Sequence, residues 1–411
     1  MQRLATFLVI LFVAILSGCV SGYPAPVRDA RVLPPPPRPA PAGPVVITPT
    51  PTTPLPQAEM PVLKTLPQVT TGPTVAENVA SGKPDTSGAH IGLILPLNTP
   101  IFRLPAEAVK EGVLAAAKAQ PNMPSVRVYP TTDQVSNIVA VYQQAVDAGA
   151  RVIIGPLTKN AVVALAESDS AAVPTLALSV PDNEVVSRNL YLFGLSLDAE
   201  TRQVAQLAAD EGRSAALIIA ANNALGKRLQ TAFSEAWRRD GGKIVGQLSF
   251  SPSTDLNVLR DKIEKLRPES IFLATNAQEA RLIRPYVSAQ IPTYATSQTF
   301  HGLSDPQKNV DLTGVRFLDM PWMLQPDHPA VMIYPRPVKA LGIDGERLYA
   351  MGIDAYRLAQ LFYRGEMPSR GVVLDGVTGE ISLNDGRQFT RELLAAEFEA
   401  DVVVVLDNAK R

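Results

Sequence analysis

From residue 90 onward, short apolar runs alternate with segments whose apolar positions recur every three or four residues. The runs HIGLILPL (90–97), VRVYPT (126–131), ARVIIGPL (150–157), VPTLALS (173–179) and YLFGLSL (191–197) predict buried strands. Between them, PAEAVKEGVLAAAKAQ (105–120) predicts a helix opened by Pro105, which suits a first helical turn. QVSNIVAVYQQAVDAG (134–149) predicts a helix ended by Gly149, and KNAVVALAESD (159–169) a third. Strand and helix in strict alternation imply a parallel sheet with helices on both faces.

The order then begins again. Helices are predicted at 198–212, 225–242, 255–267 and 277–289, and strands at 214–220, 243–250, 270–275, 292–298 and 314–321. A long amphipathic helix, ERLYAMGIDAYRLAQLFY (346–363), carries Leu348, Met351, Ala355, Leu358 and Phe362 on one stripe. GVTGEISLNDGRQF (376–389) reads as a hairpin turning at Asn384-Asp385-Gly386, and ADVVVVLD (400–407) as a last strand. The predicted class is α/β, with two doubly wound, mainly parallel sheets in two lobes. Lobe 1 is expected at about 89–197 plus about 325–411, and lobe 2 at about 198–324. The organisation resembles a type 1 periplasmic binding protein, in which a ligand cleft separates the lobes.

The N-terminal pattern is different. Met1, Gln2 and Arg3 precede an apolar run from Leu4 to Leu16, shorter than the roughly 20 residues that span a bilayer. This is the pattern of a secretory signal. It ends in Leu16-Ser17-Gly18-Cys19, which resembles the bacterial lipobox, and Cys19 is the chain's single cysteine. The expectation is a signal peptide over 1–18 and an acylated Cys19, since two or three acyl chains anchor stably where one does not. No second thiol is left for a disulfide. Val20, in place of an aspartate, points to the outer membrane with the protein facing the periplasm. Between Pro24 and Pro84 lie 17 of the 37 prolines, so residues 19–88 are expected to be a disordered tether that cannot build a core. Its roughly 65 residues would reach on the order of 200 Å as extended polyproline.

A formal net charge of −1 gives no broad basic field for nucleic acid. His90, His301 and His328 have no metal-ligand spacing, and no nucleophile elbow or phosphate loop occurs. No cofactor, metal or catalytic residue is expected.

Several stretches sharpen the picture: IGLILPL, ARVIIGPLTKNAV, VPTLALS, LGKRLQTAFSEAW, YAMGIDAYRLA and GVTGEISLNDGRQFTREL. In this order, over about residues 90–400, they resemble the penicillin-binding protein activator lipoproteins of the LppC/LpoA type. The resemblance implies an outer-membrane lipoprotein that binds and stimulates a bifunctional peptidoglycan synthase, a class A penicillin-binding protein, and so promotes cell-wall crosslinking. The best-known members carry an N-terminal helical-repeat domain, where this sequence has the proline-rich stretch. The competing reading is a solute-binding lipoprotein of an ABC transporter for an amino acid or similar small molecule.

Loops after the strand ends face the cleft in open α/β sheets. The residues expected there are Asn98, Thr99, Thr158, Lys159, Ser179, Asn222, Asn223 and Asn276. Thr158 is expected to cap the helix starting at Lys159. Thr158, Lys159 and Ser179 could together hold a carboxylate; ordinary capping and turn chemistry is the plainer account. The segment MPWMLQPDHPAVMIYPRP (320–337) is rich in Pro and Met. It offers Trp322, Met323 and Tyr334 as a partner surface, or else as packing at a crossing between lobes.

Overall fold

A computed structural model describes residues 78–79, 88–183, 187–302, 306–366 and 371–406. Cys19, the signal segment and the proline-rich stretch up to residue 77 lie outside the described residues.

The first sheet contains β1 (Asn78–Val79), β2 (His90–Leu95), β3 (Val126–Pro130), β4 (Ala150–Ile154), β5 (Thr175–Ala177) and β6 (Leu190–Leu192), in the order β1-β3-β2-β4-β5-β6. All its neighbours are parallel except β1 and β3. Every residue of β2 is buried, as a strand covered on both faces requires. The connections carry α1 (Pro100–Lys118), α2 (Val135–Asp147) and α3 (Lys159–Glu167). The expected start of α1 at Pro105 is corrected. Pro100 takes the first turn, and Pro105 sits inside the helix. Pro105 withholds one backbone donor, and Ile101, whose carbonyl loses it, is exposed to water.

The second lobe begins with α4 (Leu197–Asp210), followed by β7 (Ala215–Ala221), α5 (Ala224–Arg239), β8 (Lys243–Phe250), α6 (Leu256–Leu266), β9 (Ser270–Ala274), α7 (Ala277–Ile283), β10 (Thr293–Ala295) and β11 (Val315–Asp319). Short helices α8 (Pro321–Leu324) and α9 (Pro329–Met332) lead to α10 (Gly342–Tyr363). A small antiparallel sheet follows, of β12 (Gly371–Gly376), β13 (Gly379–Leu383) and β14 (Phe389–Glu392). It sits against β6, where Leu192 bridges Gln388 and Phe389 packs beside Tyr191 and Phe193. The chain closes with β15 (Leu394–Glu399) and β16 (Val402–Val405).

These last two strands extend the second sheet, whose order is β16-β15-β11-β10-β9-β7-β8. The expectation that all of 325–411 returns to lobe 1 is corrected accordingly. Antiparallel pairing of β15 with β11 satisfies an edge that would otherwise present bare N–H and C=O groups. The chain thus passes between the lobes after β6, between β11 and α10, and between β14 and β15.

Helix α10 also departs from its reading. It is buried nearly all round rather than along one stripe, because it packs on α1, β4, β5 and α8 together. Two glycines permit this. A Cβ on Gly112 of α1 would stand 2.0 Å from the Tyr349 carbonyl oxygen, and one on Gly352 of α10 2.3 Å from that of Val109. The two backbones therefore touch.

Candidate functional site

On the lip of the first lobe, the expected cleft residues are bound to their own neighbours. The Asn98 amide donates to the Thr131 carbonyl at 3.1 Å, and the Thr99 hydroxyl accepts from the Asp133 amide at 3.1 Å. Thr158 occupies the N-cap position of α3 without a side-chain cap bond. Its hydroxyl donates instead to the Asp133 carboxylate. The capping role is thereby corrected: the hydroxyl is oriented to donate to a carboxylate on another loop, a charge-assisted bond, and it accepts from no amide of the first turn of α3. Lys159 pairs with Asp182, and that hydrogen bond holds the Asp182 carboxyl below the usual range.

On the opposite lip, Asn223 caps α5 by accepting from Gly226 at 2.8 Å and donates to Glu279 at 3.2 Å. Asn276 and Glu279 form a reciprocal capping box at the start of α7. The Asn222 amide donates to the Phe250 carbonyl at 2.7 Å, and its side chain is exposed.

Of the expected set, Lys159 and Ser179 share a cavity of about 220 Å³, together with Leu157, Arg228, Leu348 and Met351. Asn98, Thr99, Thr158, Asn222, Asn223 and Asn276 do not line it. Beside it a charged groove of about 500 Å³ runs between Lys159 and Asp182 of the first lobe and Arg202, Lys227 and Arg228 of the second. Arg228 is already engaged by Asp198 through two bonds of 2.7 and 2.8 Å.

A buried ionic cluster at the lobe crossings escaped the sequence reading. Glu200 of α4 lines a cavity of about 290 Å³ with Ser297, Asp319, Arg347 and Arg391. Its carboxylate accepts from the Ser297 amide at 2.6 Å and hydroxyl at 3.1 Å. Burial first, and the neighbouring Asp319 second, push Glu200 up to about 7. Arg347 of α10 grips Asp319 at 2.7 and 3.3 Å and the Ser297 carbonyl at 2.9 Å. Burial lowers the pKa of Arg391, which faces Glu200, Asp319 and Asp354. Gln203 of α4 closes the third crossing, donating to the Arg391 carbonyl at 2.8 Å and accepting from the Leu393 amide at 3.0 Å.

Deeper on α10, Asp354 is fully buried. It accepts from the amides of Val377 and Thr378 at 3.1 and 2.8 Å, the Thr378 hydroxyl at 2.7 Å and Arg357 at 3.0 Å. Burial raises its pKa, opposed by Arg357 and these bonds. The stretches YAMGIDA and GVTGE therefore meet at one carboxylate. A carboxylate inside a helix otherwise built for burial was the available signal.

The partner-surface reading of Trp322, Met323 and Tyr334 is corrected. All three are buried, Trp322 completely. Helix α8 turns inward straight after β11, and the Trp322 indole donates to Glu346 at 2.8 Å beside the Tyr349 ring. Their work is packing at the crossing. Among the described residues no group of three His, Cys, Asp or Glu is placed to hold a metal ion, and no helix is long and apolar enough to cross a membrane.

Comparison with known proteins places this geometry. The profile of the LppC lipoprotein family matches residues 84–269 and 259–401, well over half of the chain. A curated relative, penicillin-binding protein activator LpoA of Enterobacter sp. (strain 638), is 25% identical over 342 residues, covering 72% of this chain and 46% of the relative. The chain thus spans about half the length of the curated relatives it matches. Among solved structures, a Chromobacterium violaceum protein provisionally assigned as a branched-chain amino acid ABC transporter is 39% identical. Its TM-score is 0.66, over 75% of this chain and 99% of that one. The LpoA C-domain of Haemophilus influenzae, a regulator of PBP1A, superposes with a TM-score of 0.65 at 20% identity, over 77% and 99%. The fold is that of these bilobed binding-type domains, and the chain belongs to the LppC lipoprotein family.

Proposed function

We propose that this protein is a non-enzymatic, lipid-anchored regulator that binds a class A penicillin-binding protein and raises its crosslinking activity. The observation that carries the reading is the family match across the bilobed domain, with curated relatives named penicillin-binding protein activators. The lips of the cleft support it. Thr158 and Lys159, two of the groups that would receive a carboxylate, are engaged by Asp133 and Asp182. An incoming ligand would have to displace those partners. Activation then requires tighter binding to the active than to the inactive state of the synthase. Cys19 is the acylated anchor, Val20 assigns it to the outer membrane, and the proline-rich stretch is the tether that raises effective concentration at the wall.

The test is a titration of the full acylated chain, in detergent, into the class A synthase of the same organism, following binding and the fraction of crosslinked peptides. A saturable rise in crosslinking over the binding range is expected. Neither binding nor a rise with any class A synthase of the organism refutes the reading. The solute-binding alternative is favoured by the 39% identical Chromobacterium violaceum structure. It requires amino acids or related small carboxylates to raise the melting temperature in a concentration-dependent way.

A further inference from the structure

A groove of about 610 Å³ runs between the C-terminal half of α1 and residues 335–339, with Leu114, Ala115, Pro335, Pro337 and Val338 among its walls. Val338 is wholly solvent-exposed (102%), and Met332 and Ile333 nearby in sequence are more than half exposed. Three large apolar side chains are thus open to water within seven residues, whereas soluble surfaces normally scatter them singly.

The wall is braced from beneath. The Tyr349 hydroxyl donates to the Pro335 carbonyl at 2.8 Å. The Arg336 guanidinium lies 4.0 Å from the centroid of the Trp322 ring and 3.8 Å from Glu346. Pro335 and Pro337 restrict the backbone on either side. A partner would meet a pre-formed surface and lose little freedom in ordering it.

Lys118 and Lys339 border the apolar strip, with Glu111 the one carboxylate among its lining residues; Arg336 is already engaged by Glu346 and the Trp322 ring. A partner matching this surface carries an apolar anchor flanked by acidic residues.

We propose that the groove between α1 and residues 335–339 is where the synthase docks, through an apolar segment bordered by carboxylates. The proposal rests on the activator reading above. Its test uses the full acylated chain in detergent and the class A synthase. Val338→Asp is expected to weaken binding at least tenfold, and Lys118→Glu with Lys339→Glu to weaken it comparably and flatten its salt dependence. The melting temperature of Val338→Asp should be unchanged, because Val338 is fully exposed. Val258→Asp, on exposed α6 of the second lobe, serves as the matched control and should bind as the native chain does. Native binding and stimulation by both Val338→Asp and the double charge reversal would overturn the docking site while leaving the activator reading intact. A native chain that binds no synthase would overturn both.

Discussion

Glu200→Gln tests the buried cluster at the lobe crossings. Glu200 is 6% exposed and its pKa stands at about 7 against an ordinary 4.5. The folded protein therefore holds this proton more tightly than the unfolded chain does. The stability it contributes is fully present below about pH 4.5 and is lost as pH rises through 7. The full shift of about 2.5 pH units corresponds to about 3 kcal/mol, of which about 2.5 kcal/mol is lost between pH 5 and 8. Glutamine keeps a carbonyl oxygen for the Ser297 amide and has no proton to lose. The difference in unfolding free energy between variant and native chain should grow in the variant's favour by about 2.5 kcal/mol from pH 5 to pH 8. Urea unfolding at half-unit pH intervals reads this directly, since groups shared by both proteins cancel. A constant offset across that range would refute the reasoning, and with it the idea that Glu200 changes protonation in the folded state.

Gly112→Ala would set a methyl 2.0 Å from the Tyr349 carbonyl oxygen. Separating α1 from α10 should cost more than about 3 kcal/mol, read as a fall in melting temperature. Asp354→Ala would leave Arg357 and the amides of Val377 and Thr378 without their acceptor. A loss of about 3–5 kcal/mol is expected by urea unfolding. Cys19→Ala should abolish acylation and release the protein from the membrane fraction; normal retention with no lipid by mass spectrometry would sink the anchor proposal.

The α/β class and the doubled order of elements were legible because they depend on local periodicity. A run such as HIGLIL has no stable place except between two covered faces. Thr158 was placed at the right position with the wrong bond, since its true acceptor, Asp133, lies on another loop. Trp322 and Tyr334 looked like interface residues by type. Composition does not say whether a side chain faces water or a neighbouring helix; α8 turning inward after β11 buries Trp322, and the segment after α9 buries Tyr334. Residues 400–407 read as a strand, but which sheet receives it depends on the edge that β11 leaves open to β15. Glu200, Asp319, Arg347 and Arg391 are ordinary charges along the chain, separated by up to 191 positions. Folding brings them together where water is excluded, and there their charges first act on one another. The sequence by itself determined what can form a strand or helix and which motifs are present. Only the tertiary structure decided which of those surfaces are buried, because burial depends on partners distant in the chain.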